Sequence, residues 1–139
     1  MKIKEIQEEI VEEFSMFDDW MERYEYIIEL GKNLPLIKEG FKTENNLIKG
    51  CQSKVWLQGE QKDDKIIFTA DSDAILTKGI IAILIRVFSN QSAKDILDAD
   101  MSFIDEIGLK EHLSPTRANG LVSMIKNIKM YALAFNTQN

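Results

Sequence analysis

The side chain best suited to chemistry in this chain is Cys51, the only cysteine among 139 residues. Gly50 precedes it, polar residues follow it, and Lys49 and Lys54 lie close by on either side. This pattern predicts a turn that presents the thiol, unlike the core position of most lone cysteines. Because positive charge lowers the pKa of a nearby thiol, the two lysines could favour the reactive thiolate. Cys51 is therefore either a nucleophile or sulfur acceptor, or an inert cysteine in a loop.

A hydrolase would need a base beside Cys51, and the chain has one histidine, His112. A Cys–His pair is the usual route to peptide or ester chemistry. No third residue that would orient the histidine can be named. A surface or capping histidine just before the last helix is the more ordinary interpretation, and the pairing stays an alternative for the fold to decide.

Metal and phosphate sites are not indicated. One cysteine and one histidine do not make a four-ligand zinc site, and no ligand spacing is visible. Asp71 and Asp73 lie between a predicted strand and a predicted helix, where aspartate is typical of turns and caps. The scattered glycines form no phosphate-binding loop. We therefore expect no metal site.

Two other side chains have both a structural and a functional interpretation. Trp56 lies within a predicted strand, and a tryptophan there most often belongs to the core. Arg117 lies in the first turn of the last predicted helix, where the helix dipole disfavours positive charge. It is expected either to be held by a carboxylate or to offer its guanidinium group to a partner.

The composition is that of an acidic globular protein. With 45% hydrophobic and 29% charged residues and a net charge of −6, the chain is predicted to form one domain, residues 1–139. The negative charge argues against a nucleic acid partner. The longest apolar stretch, Gly79 to Ile85, is far shorter than the ~20 residues of a membrane span. One cysteine and no signal segment predict the cytoplasm and no membrane partner.

Several elements must position Cys51. Apolar spacing, caps and proline placement predict helices at Ile3 to Phe17, Trp20 to Leu30 (capped by Asp18 or Asp19 and ended by Gly31), Ile75 to Phe88, Ala93 to Leu97 after a Ser92 cap, Phe103 to Ile107, and Ser114-Pro115 to Phe135. The third of these is apolar on most faces and is predicted to be the central buried helix.

Strand-like segments lie on both sides of Cys51 in the sequence. Val55 to Leu57 and Ile66 to Thr69 are rich in β-branched and aromatic residues, and the polar turn Lys62 to Lys65 between them predicts a hairpin. A short extended piece at Asn46 to Ile48 would add a third strand. The predicted fold class is α+β, with a small antiparallel meander of about three strands packed against N-terminal and C-terminal helices. Cys51 would lie in a connecting loop at the sheet edge.

Three blocks of the sequence resemble the SufE family of sulfur-acceptor proteins. The signature-like loop is Gly50-Cys51-Gln52-Ser53, followed after one residue by Val55-Trp56. The other blocks are Ala70 to Ala74 with Gly79, and Leu113 to Leu121 with Met124. They occur in the family's order over roughly Leu34 to Ile128. Lys54 stands where many relatives have glutamine and Thr116 where serine is common, and neither change removes a group that the chemistry needs.

The resemblance implies a function, partners and a site. SufE-type proteins take sulfur from a PLP-dependent cysteine desulfurase of the SufS type, stimulate that enzyme and pass the sulfur to an iron–sulfur scaffold complex. PLP belongs to the desulfurase, so no cofactor is implied here. The sheet also resembles that of IscU-type scaffolds, but one cysteine is too few for cluster assembly. The family's site carries over to Cys51 as the persulfide acceptor and to residues that shape its loop or dock the partner: Gly50, Gln52, Ser53, Asp73 and Arg117.

Two other classes of function stay open at the level of sequence. A thiol redox sensor would act through mixed disulfides of Cys51, and an interaction module would not need the thiol. The sulfur-carrier hypothesis predicts a loop that rests with Cys51 partly covered and swings out on docking, because the donor cysteine lies inside another protein. The loop around Cys51 could also support a weak homodimer.

Overall fold

A buried helix lies at the centre of the structure. The chain is described here by a computed structural model that covers residues 1–137. The central helix, α3, spans Ile75–Phe88, and ten of its fourteen residues are buried. A second helix, α2 (Trp20–Gly31), crosses it so closely that a Cβ on Gly79 would lie 2.1 Å from the carbonyl oxygen of Ile27. The sequence prediction of a central buried helix is confirmed.

Within residues 1–137, one further helix precedes α2 in the sequence, and four follow α3. They are α1 (Ile3–Ser15), α4 (Ala93–Asp98), α5 (Phe103–Glu106), α6 (Leu109–His112) and α7 (Pro115–Thr137). Asp19 and Ser92 cap α2 and α4 as predicted, by accepting hydrogen bonds from backbone amides three residues on. The first helix ends at Ser15, before the predicted Phe17. The short α6 was not predicted, because four residues are too few to show a helical period. No helix within the described residues is long and apolar enough to cross a membrane.

The sheet is a two-stranded antiparallel ribbon. Strand β1 is Val55–Lys62 and β2 is Lys65–Ser72, both longer than predicted, and their register runs from Val55 opposite Ser72 to Lys62 opposite Lys65. The predicted third strand is wrong, since it is reduced to a single bridge between Leu47 and Trp56. Two 3-10 turns (Glu39–Phe41 and Glu44–Asn46) and the turn at Gly50 leave too short an extended piece to form a strand. The α+β class is confirmed.

The outer edge of β2 is covered by two separate segments, one that follows α2 and one that follows α3. Ala70 exchanges hydrogen bonds with Pro35 and Ile37, at 3.0 Å each. The amide of Phe68 donates to the hydroxyl of Ser89 at 2.9 Å. Ile66 pairs with the segment that follows α3, where its amide donates to the carbonyl of Gln91 at 2.9 Å. The ribbon is therefore joined to α3 and to the segment after α2 through its backbone as well as its side chains.

An ion network ties α1 to α3. Arg86 donates to Glu13 at 2.5 Å and to Glu9 at 2.9 Å, and the hydroxyl of Tyr26 also donates to Glu13. The guanidinium of Arg86 holds the pKa of Glu13 below its ordinary value, although burial acts in the opposite direction. Burial, together with the bond to Glu13, raises the pKa of Tyr26 to about 12. Glu13 and Arg86 therefore stay charged, and Tyr26 stays neutral, across the neutral pH range.

Candidate functional site

The loop between Ile48 and Val55 depends on Gly50. Its φ of +94° lies in the left-handed region, which side chains with a Cβ rarely adopt. A Cβ at this position would also lie 2.5 Å from the hydroxyl oxygen of Ser123 on α7. Gly50 is therefore required by the backbone conformation, and a side chain there would also have to displace the hydroxyl of Ser123.

The loop turns Cys51 toward α7. The thiol is half-buried, and its Sγ lies 3.6 Å from the carbonyl oxygen of Gly120, to which it donates a weak hydrogen bond. A Cβ on Gly120 would lie 3.4 Å from Sγ, in van der Waals contact, so the sulfur packs directly on this part of α7. Cys51 thus rests partly covered against the helix, as the sulfur-carrier hypothesis expects of the resting loop.

Burial sets the acidity of this thiol. Removal of the sulfur from water raises the pKa of Cys51 above its ordinary value. The side chains of Lys49 and Lys54 are on exposed residues, and neither lowers this pKa. The expectation that the two lysines favour the thiolate is therefore wrong for the resting structure, because exposed ammonium groups are screened by water. Cys51 rests mainly as the neutral thiol.

A small cleft of about 40 Å³ opens beside Cys51. Its mouth is polar, and its floor is made by the buried side chains Ile80 and Met124 together with Thr77, which is only 6% exposed. Sequence reasoning identified part of this lining but missed the floor. The only sequence signal for the floor is that Thr77 and Ile80 are three residues apart on α3, and Gly120 and Met124 four residues apart on α7, so that each pair lies on one face of its helix. The full lining is Cys51, Gln52, Ser53, Thr77, Ile80, Thr116, Arg117, Gly120 and Met124.

Asp73 fastens the far end of the loop. Its carboxylate accepts a hydrogen bond from the amide of Lys54 at 3.0 Å, and its own amide donates to the carbonyl of Lys54 at 3.2 Å. The interpretation of Asp73 as a helix cap is wrong, because the residue at the start of α3 is Ala74, which has no side-chain cap. This geometry fits the alternative expectation that Asp73 helps hold the loop.

Arg117 stands at the mouth of the cleft. Its amide donates to the hydroxyl of Ser114 at 3.3 Å, as the predicted N-cap requires. Its side chain is exposed, and within residues 1–137 no carboxylate forms an ion pair with it. Of the two expectations for Arg117, the structure therefore favours a guanidinium group that is open to a partner.

His112 lies in a different environment. Its ring stacks on Trp20 at a centroid distance of 4.0 Å, and its Nδ1 is 2.9 Å from the carbonyl oxygen of Gly108. It is not among the residues that line the cleft. The Cys–His pair is therefore not formed, and the surface interpretation of His112 is the correct one.

Asp71 and Trp56 belong to the stem that leads into the loop. Asp71 lies in β2 and forms ion pairs with Lys42 at 2.6 Å and Lys78 at 3.5 Å, so its interpretation as a cap is also wrong. Burial alone would raise the pKa of Asp71, but the two lysines and a backbone amide lower it overall. Trp56 is half-buried outside the core, with the ammonium of Lys42 5.5 Å from its ring centroid. No group of three or more metal-ligating side chains occurs in the described part of the chain.

Comparisons with known proteins identify the family of the chain and a protein with a similar fold. Residues 8–132 match the model of the SufE family, described as an Fe-S metabolism associated domain. An uncharacterized SufE-like protein of Rhizobium meliloti is 43% identical, over 90% of this chain and 93% of its own length. One from Rhizobium etli is 40% identical, over 88% and 86%. The solution structure of a hypothetical protein from Thermus thermophilus has a TM-score of 0.79 at 18% identity, and covers 95% of this chain and 96% of its own.

Proposed function

The chain belongs to the SufE family, and we propose that it is a sulfur acceptor in which Cys51 takes persulfide sulfur from a cysteine desulfurase. The family is associated with iron–sulfur metabolism. The observation that carries the proposal is the placement of Cys51 on a loop turned at Gly50, half-buried beside a cleft of about 40 Å³. That volume has room for about one water-sized group, which is also the scale of one added sulfur atom.

The transfer step is a thiol exchange. The thiolate of Cys51 attacks the outer sulfur of the desulfurase persulfide, and a new S–S bond forms to Cys51. The S–S bond in the donor breaks, and its electron pair leaves with the desulfurase sulfur as a thiolate. The outer sulfur keeps its proton, so no external oxidant or reductant is consumed.

Docking must change the state of Cys51. At rest its pKa is raised by burial, so the thiolate fraction at neutral pH is small. The loop is held to its surroundings chiefly by the amide of Lys54 on Asp73 and by the contact of Sγ with Gly120. A partner that breaks these contacts would expose the thiol and lower its pKa together. The reactive form would then arise at the moment of transfer, and the resting thiol would be protected from oxidation.

The exposed rim gives the partner its contacts. Gln52 and Arg117 flank the mouth of the cleft, and the guanidinium of Arg117 suits a carboxylate on the desulfurase. PLP chemistry stays with that enzyme, and the sulfur passes on to an iron–sulfur scaffold complex. A lone free thiol with this role fits a reducing compartment such as the cytoplasm.

The test is the intact mass of the protein after incubation with a cysteine desulfurase, PLP and cysteine. We expect the wild type to gain the mass of one sulfur, reversibly with a reductant, and Cys51→Ala to gain none. A second measurement follows the desulfurase, whose turnover should rise with the wild type but not with Cys51→Ala. No mass gain with several desulfurases of proven activity would contradict the proposal.

A redox sensor is the alternative that this experiment separates. Sensor thiols are typically accessible and have a low pKa, whereas Cys51 is half-buried and its pKa is raised. Treatment with peroxide should therefore modify Cys51 more slowly than it modifies a free cysteine in an unfolded peptide. Fast oxidation without sulfur loading would favour the sensor.

A further inference from the structure

Thr77 is the one buried polar side chain in the lining of the cleft beside Cys51. It lies in the first turn of α3 and is 6% exposed. Within the described residues, its hydroxyl forms no hydrogen bond with another side chain or with the backbone. The hydroxyl oxygen is not among the fully buried atoms that lack a partner, so it still reaches the open space of the cleft. A hydroxyl without a hydrogen-bond partner beside a reactive sulfur indicates a ligand that would accept its hydrogen bond.

The rest of the floor cannot supply hydrogen bonds. Ile80 and Met124 are apolar and almost fully buried, and the carbonyl of Gly120 only accepts. A persulfide is more acidic than its parent thiol, so a loaded Cys51 carries negative charge on its outer sulfur. Placing that charge on an apolar floor without a donor would be costly.

Thr77 is not a hydrogen-bond partner of Cys51 in the unloaded state. The Sγ atom has its weak hydrogen bond to Gly120, and no bond joins it to Thr77. An added sulfur would lie about 2 Å beyond Sγ, the length of an S–S bond. The cleft lined by Thr77 is the space beside the thiol that such an atom can enter.

We propose that the hydroxyl of Thr77 donates a hydrogen bond to the outer sulfur of the Cys51 persulfide and so positions it within the cleft. This inference rests on the proposed function, because it concerns the loaded state. Thr77 would then be a recognition residue for the transferred sulfur, and Ile80 and Met124 would form the apolar part of the floor that excludes water. The free thiol should be much less affected by Thr77 than the persulfide is.

The variants are Thr77→Val, which keeps the shape and removes the hydroxyl, and Thr77→Ser, which keeps the hydroxyl. Thr69→Val is the matched control, since it removes a hydroxyl from β2 outside the cleft. Each protein is loaded chemically with glutathione persulfide. The Cys51 thiolate attacks the outer sulfur of this reagent and glutathione leaves as its thiolate, so loading needs no desulfurase. The pH dependence of iodoacetamide alkylation is then followed by mass for the thiol and the persulfide separately.

We expect Thr77→Val to reduce the ionised fraction of the persulfide at a given acidic pH by at least about tenfold, the scale of one hydrogen bond to a charged group. Thr77→Ser and Thr69→Val should follow the wild type. An unchanged persulfide profile in Thr77→Val overturns the inference. So does an equal shift of the thiol and persulfide profiles, which would mean a general change in packing. Failure of every protein to accept sulfur from an active desulfurase would instead count against the proposed function.

Discussion

At the scale of single residues, the surroundings of Cys51 keep its thiol unreactive at rest. Cys51 is half-buried, its pKa is raised by burial, and its thiol donates a weak hydrogen bond to a carbonyl. A hydrolase or sensor would be expected to carry a base or a positive charge beside its thiol. A carrier needs the opposite at rest, since its sulfur must react with one donor only. The residues that confine Cys51 are therefore as important to the proposed function as the thiol itself.

Substitution of Gly50 by alanine should release this confinement. The left-handed φ alone costs about 1–2 kcal/mol for a residue with a Cβ, and the contact with Ser123 adds to it. We expect Gly50→Ala to lower the free energy of unfolding by about 1–3 kcal/mol and to speed the alkylation of Cys51. Urea unfolding and iodoacetamide kinetics measure the two effects.

The double variant Gly50→Ala with Ser123→Ala separates the two causes. Removal of the Ser123 hydroxyl relieves the steric contact but leaves the strained φ, so stability should recover only in part. Full recovery would mean that the backbone conformation of Gly50 carries no cost. A Gly50→Ala protein with wild-type stability and alkylation rate would refute the account of the loop.

At the scale of elements, the Cys51 loop is stabilised by its neighbours more than by its own sequence. One side of it rests on α7, and the other is bonded to Asp73, two residues before α3. The ribbon β1–β2 supplies the stem, where Lys42 and Asp71 form an ion pair beside Trp56. Release of the loop thus requires a few specific contacts to break, while the helices around it stay in place.

Asp73 gives a direct test of that view. Asp73→Ala removes the acceptor of the Lys54 amide, so we expect faster hydrogen exchange at Lys54 and faster alkylation of Cys51. The free energy of unfolding should fall by about 1 kcal/mol or less, because the hydrogen bond between Lys54 and Asp73 is exposed to solvent. Asp73→Asn keeps an acceptor oxygen and should resemble the wild type. Equal exchange rates in Asp73→Ala and the wild type would mean that this bond does not hold the loop.

The network between α1 and α3 predicts a dependence of stability on pH. The pKa of Glu13 is lowered in the folded state, so its contribution is present above the unfolded value of about 4.3 and is lost as pH falls through the folded pKa. Glu13→Gln should therefore be less stable than the wild type at neutral pH, by about 1 kcal/mol for this partly exposed pair. The difference should vanish in acid.

Glu12→Gln is the control for this experiment. Glu12 lies on the same helix, is exposed and forms no ion pair with a described residue. Urea unfolding at neutral and acidic pH should give parallel curves for Glu12→Gln and the wild type. A constant difference between Glu13→Gln and the wild type at every pH would show that packing, and not charge, is lost.

Local signals in the sequence were sufficient for part of this picture. The caps of Asp19 and Ser92, the buried period of α3 and the glycine before Cys51 each act within a few residues, so they could be predicted. The missing third strand, the ion pair of Asp71 and the place of Thr77 in the cleft depend on residues distant in sequence. For those, periodicity indicates only which side of an element is buried and not what it meets.

At the scale of the whole molecule, the close crossing of α2 and α3 limits the size of the side chains that the fold accepts. A Cβ on Gly79 would lie 2.1 Å from the carbonyl oxygen of Ile27, which is backbone and cannot turn away. The two helices could accept it only by moving apart. Because α3 also lies under the Cys51 cleft through Thr77 and Ile80, such a movement would reach the site.

Gly79→Ala should therefore be among the most damaging small substitutions in the chain. We expect a loss of roughly 3 kcal/mol or more in the free energy of unfolding, typical of overpacking against a rigid neighbour. Gly40→Ala is the matched control, since nothing lies within 4 Å of a Cβ there, and its effect should stay within about 0.5 kcal/mol. Similar melting temperatures for the two variants would contradict the close-packed crossing.

The covered edge of β2 has a consequence for how the protein is made. The hairpin is complete at Ser72, but one of the two segments that cover its edge, from Ser89 to Gln91, follows α3. During synthesis, the ribosome must therefore deliver all of α3 before that edge can close. For this interval the nascent hairpin presents unpaired backbone groups, the kind of surface that chaperones bind and that other unfinished chains can pair with.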